Sequence, residues 1–139
     1  MLVYLIHGHK GLGQLVFALA VASLLLAFAG AGAKAGPSQM LDRVHRFGLL
    51  MVGRLNVLVG LALLFVMHSE AHRPLFTAAP WLGLLLWGPI EVLGKRLVTA
   101  HVRGGPSGEA GKVRLGTGLQ LLIVVLIYGA MTMARTRGW

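Results

Sequence analysis

The chain has no cysteine and only four acidic residues, Asp42, Glu70, Glu91 and Glu109, against thirteen lysines and arginines. The missing thiols exclude disulfides, thiolate metal sites, iron–sulfur clusters and covalent c-type haem attachment. They leave the compartment unread. Charge of either sign is scarce, at 12% of 139 residues, while 56% are hydrophobic and the mean hydropathy is +0.76. Soluble domains are about one quarter charged, so composition places this chain among integral membrane proteins. The net charge of +9 is then no sign of a nucleic-acid partner. Most of the basic residues flank apolar runs, where they orient helices and meet anionic lipid headgroups.

What is there in abundance is long apolar sequence. The run between His45 and His68 spans roughly 33 Å as a helix, close to the hydrocarbon thickness of a bilayer. The pattern predicts an all-α protein, one four-helix transmembrane bundle with short loops. Residues 1–139 form a single domain, with helices over about 2–30, 41–67, 80–102 and 115–135. The first run resembles a signal peptide at Ala31-Gly32-Ala33. It lacks a basic n-region, though, and is too long for an h-region, so it reads as helix 1. Gly30 to Gln39 and Arg103 to Arg114 read as loops, and Ser38 or Asp42 can cap helix 2 near Leu41. Pro80 opens helix 3. Gly88-Pro89 should kink it, freeing the carbonyl of Leu85.

Basic residues set the orientation. Loops 1 and 3 with their flanks hold Lys34, Arg43, Arg46, Lys95, Arg96, Arg103, Lys112 and Arg114, and the other side holds Lys10, Arg73, Arg135 and Arg137. The excess puts loops 1 and 3 in the cytoplasm and both termini outside. In a bacterial inner membrane, outside is the periplasm.

Three groups of residues could carry chemistry. Arg54 and Asn56 interrupt helix 2, and Glu91 interrupts helix 3. A guanidinium in lipid costs on the order of 3 kcal/mol, so Arg54 should face protein or trapped water. Arg54 lies about 12 Å and Glu91 about 6 Å inside the same boundary, close enough for the arginine to bridge. The pair can bind a substrate, relay protons or simply hold two helices together. Alternatively, Glu91 pairs with Lys95 one turn along its own helix. Histidine is the second group. His7 or His9 with His68, or His45 with His101, sit at matching depths for bis-histidine b-type haem. Arg43, Arg46 and Arg103 lie near the second pair for propionates. All six histidines lie at predicted helix ends, where an interfacial histidine needs no ligand. A divalent metal on His7, His9 and Glu70 or His72 matches no established ligand spacing, so no metal site is expected. The third group is the small and aromatic residues. Ala18, Ala22, Ser23, Gly53 and Gly60 suit close helix contact, and Tyr4, Trp81, Tyr128 and Trp139 suit the membrane interfaces.

With the helices placed, the order of residues resembles the SirB-type small four-helix membrane proteins of bacteria. The likeness runs from His7 or His9 through Arg43 to Arg46, Gly60 to Leu64 and Trp81, and closes on Ile127-Tyr128 to Ala134-Arg135. It covers nearly the whole chain through single residues, with His45-Arg46 standing where Pro-His would be expected. The resemblance implies architecture more than activity. Chain length and a basic helix 2 are also similar to the eicosanoid and glutathione membrane enzymes, four-helix trimers with a Glu-Asn pair in helix 2. This sequence has no such pair there. Minimal loops and small-residue helix faces lead to an expected role as a non-catalytic subunit or accessory factor of a larger, respiratory inner-membrane complex. It would be bound to other membrane subunits or to its own copies. A b-type haem or quinone-linked electron carrier is the alternative from the histidines, and a small membrane enzyme is the alternative from Arg54 and Glu91.

Overall fold

The computed structural model describes residues 1–29, 36–72, 78–99, 102 and 110–136. Among these, every residue but Met1 and His72 is helical and no strand occurs. Four helices result. Helix α1 is Leu2–Ala29. Helix α2 covers residues 36–71 as Gly36–Arg43, a π-helical stretch Val44–Leu50, and Met51–Ala71. Helix α3 covers residues 78–99 as Ala78–Leu93 followed by a second π-helical stretch, Gly94–Thr99. Helix α4 is Ala110–Thr136.

The all-helical class and the four helices agree with the sequence pattern, while the helix ends do not. Helix α2 begins at Gly36, ahead of the expected Leu41, and takes Pro37 into its first turn, where the missing N–H has no carbonyl to serve. It runs past the expected Met67 to Ala71. There His72 takes a left-handed conformation, φ 52°, and its N–H bonds back to the Met67 carbonyl. Helix α4 starts at Ala110 rather than near Leu115, which carries Lys112 and Arg114 into its opening turns. The Arg114 guanidinium lies 5.0 Å over the ring of Phe28, tying the start of α4 to the end of α1. Helix α3 continues through Pro89, and its wide π turn opens at Gly94.

Packing does not follow chain order throughout. Helix α1 lies along both α2 and α4, and α4 lies along α3; the contact between α2 and α3 is thinner. Two apolar clusters fill the interior. One holds Val16, Ala20, Leu49, Leu50, Ile90 and Val124. The other, toward the end of α1 and the start of α4, holds Ala27, Leu41, Val98 and Val113. Between them lies a buried polar level, Ser23, His45, Thr117 and Gln120.

The interior is small and the exterior is greasy. Leu25, Phe28, Leu58, Phe65, Leu85, Leu122 and Leu126 all point outward and are exposed. Apolar exposure on that scale marks a surface that meets lipid or protein. Among the described residues, three helical segments are long and apolar enough to cross a membrane: Leu2–Ala29, Gln39–Ala71 and Ala110–Met133. The regular part of α3 reaches only 16 residues before its π turn.

Candidate functional site

Two polar centres join helices across the bundle, and a third joins α1 to α2. The first is Arg54 on α2 with Glu91 on α3. Arg54 donates from Nε to Glu91 Oε1 and from Nη2 to Oε2, both at 2.7 Å. That is the paired fork that guanidinium and carboxylate geometry favours. Trp87, one turn before Glu91, donates its indole Nε1–H to the same Oε1 at 3.3 Å. Gly53 makes room for that indole. A Cβ at position 53 would overlap the six-membered ring of Trp87. Glu91 is thus held by Arg54 and Trp87, with Lys95 the weakest of the influences on its charge.

Arg54 turns its guanidinium to Glu91 but is otherwise not covered by the bundle. The side chain is 56% exposed on the flank of the bundle, against 19% for Glu91. Asn56 does not join this pair. Positions two apart on a helix point to nearly opposite sides, and Asn56 faces α1, where it packs near Gly13 and His9. The expected trio therefore divides between two centres. His9 fits over Gly60, whose absent side chain leaves the space; a Cβ there would lie 2.9 Å from the imidazole Cε1.

The second centre is the one that sequence reasoning missed. His45 is fully buried, and so is Gln120 of α4. His45 Nε2 lies 3.0 Å from Gln120 Oε1, and Gln120 Nε2 donates to the Ile90 carbonyl of α3 at 2.8 Å. The hydrogen-bond logic fixes the ring. A backbone carbonyl can only accept, so the amide nitrogen of Gln120 must face Ile90 and its oxygen must face His45. In the neutral ring the proton therefore sits on Nε2 and the lone pair on Nδ1. Nδ1 is buried without a hydrogen-bond partner. Gly94 closes the site: a Cβ there would lie 2.9 Å from both Gln120 Nε2 and His45 Cε1. His45 and Gly94 belong to the π-helical stretches of α2 and α3, a rare backbone form that is frequent at functional sites.

Of the other histidines, three lie among the described residues. His7 is exposed and bonds to the Val3 carbonyl of its own helix at 2.8 Å. His68 and His72 are exposed near the end of α2. His101 and Arg103 lie outside the described residues. The placement of His45 corrects the expectation of a helix-end histidine: the early start of α2 puts it nine residues along the helix. Its Nε2 is already committed to Gln120. No group of three or more metal-ligating side chains gathers among the described residues.

Comparison with protein-family models, curated proteins and solved structures finds no match to this chain.

Proposed function

We propose that the chain is a multi-pass protein of the bacterial inner membrane, a four-helix transmembrane bundle with both termini on the periplasmic side. In this reading it serves as a non-catalytic subunit or accessory factor of a larger membrane complex. A respiratory assembly is the fitting kind, and the resemblance to SirB-type proteins supports the architecture. One observation carries the reading: the Arg54–Glu91 pair is exposed on the flank between α2 and α3. A charged pair facing lipid is costly, and a second protein laid over it removes that cost. His45 and Gln120 support the same view, since they tie α2, α3 and α4 together in the interior.

The test is the native size of the protein extracted from membranes in a mild detergent. Wild type should run well above the mass of one chain with its micelle. The double variant Arg54→Met with Glu91→Gln should fall to a single chain while staying folded. A wild-type protein that is monomeric throughout would end the subunit reading. A Soret band in the purified wild type would turn the account toward the electron carrier.

A further inference from the structure

The two apolar clusters are separated by a level to which every helix contributes. Helix α1 gives Ser23, lying between Ala20 and Ala27. Helix α2 gives His45, between Leu41 and Leu49. Helix α3 gives Gly94, between Ile90 and Val98. Helix α4 gives Gln120 and Thr117, between Val113 and Val124. Ser23, His45, Thr117 and Gln120 are all at most 1% exposed.

Polar groups this deep are expected to be paired. Two of these are not: Ser23 Oγ and His45 Nδ1 have no hydrogen-bond partner. The Thr117 hydroxyl donates within its own helix, to the Val113 carbonyl at 2.9 Å and the Arg114 carbonyl at 3.2 Å, which leaves its oxygen able to accept. A buried water commonly satisfies two to four such groups. The backbone at the site is already widened by the π turns of α2 and α3.

We propose that this level is a proton-binding site, formed by the imidazole of His45 and one water molecule shared with Ser23. The site suits both protonation states of the ring. Gln120 Oε1 accepts from Nε2–H in either state, because the Ile90 carbonyl holds the amide in one orientation. Nδ1 accepts from the water when the ring is neutral and donates to it when the ring is charged, and the Ser23 hydroxyl can reverse its own role to match. The carboxylates whose charge reaches His45 are each paired with an arginine, Asp42 with Arg46 at 3.6 Å and Glu91 with Arg54 at 2.7 Å. Asp42 lies one turn earlier on α2, and Glu91 lies on α3. At this level α1 and α4 present only Ser23, Thr117 and Gln120, while Lys95 of α3 is exposed.

The experiment is nitrogen NMR of the full chain in lipid nanodiscs, with ring-labelled histidine. His45 is assigned by its loss in His45→Gln. If that variant fails to assemble, it is assigned as the ring whose N–H exchanges most slowly, as full burial requires. At about pH 8 the ring should carry its proton on Nε2 with Nδ1 bare; on acidification toward about pH 5, the range in which histidine titrates, the bare Nδ1 signal should be lost as that nitrogen is protonated. Ser23→Thr should keep this behaviour, and Ser23→Val, which matches threonine in volume but has no hydroxyl, should abolish it over the same range. A His45 ring unchanged over that range in wild type would overturn the site. So would a proton on Nδ1 at about pH 8, or a Ser23→Val protein that titrates like wild type.

Discussion

Arg54 and Glu91 face each other through two hydrogen bonds of 2.7 Å, yet the arginine side chain is 56% exposed. The geometry is that of a strong pair and the location is that of a surface. In water such exposure would reduce the pair to at most about 1 kcal/mol. Beside lipid or a covering protein there is less screening. The expected outcome is a coupling of about 1–3 kcal/mol between the two positions. Arg54→Met and Glu91→Gln should each lower thermal stability in detergent, and the double variant should lose clearly less than the sum. Additive losses would show that the side chains do not interact.

Trp87 depends on the absence of a side chain at position 53. Gly53→Ala forces the indole away from its site and from Glu91. The expected loss is about 1–3 kcal/mol, as for other overpacked sites, with a change in tryptophan fluorescence. Gly129→Ala is the control. A Cβ at Gly129 meets nothing within 4 Å, so that change should be neutral or slightly stabilising through helix propensity.

Gln120 holds two helices at once. Gln120→Leu keeps the approximate volume and strands both the His45 Nε2–H and the second lone pair of the Ile90 carbonyl. A cost of about 1–3 kcal/mol is expected for groups left unpaired in the interior. Thermal unfolding in detergent measures it, and an unchanged midpoint would remove Gln120 from the packing account.

Orientation rests on the basic residues of loops 1 and 3. A reporter that is active only in the periplasm, fused after Trp139, should be active. A reporter active only in the cytoplasm at that position would invert the topology, and with it the side from which His45 is nearest.

The sequence made some of this legible for simple reasons. Apolar run lengths gave the helices, and depth arithmetic brought Arg54 and Glu91 to one level, because rise along a helix is nearly constant. The end of α2 was misjudged at Gly36-Pro37-Ser38, where residues that break helices also start them. That error placed His45 at an interface instead of inside. The pairing of His45 with Gln120 was not legible at all. It depends on which helices are neighbours and how each is rotated, and the π turns at Val44–Leu50 and Gly94–Thr99 alter that rotation with no signal in residue spacing. Nearness in the chain suggests that Asn56 joins Arg54, but helical rotation turns the two apart.

The central claim is that another protein covers the flank of Arg54 and Glu91. The most direct test places a photoreactive residue at Leu58, one turn from Arg54, and separately at Leu25 on α1, positions that are 63% and 64% exposed in the isolated chain. Both are irradiated in native membranes. The account predicts a discrete protein adduct from Leu58 and none from Leu25, with the adduct lost in the Arg54→Met and Glu91→Gln double variant. Lipid-only labelling at both positions would contradict it.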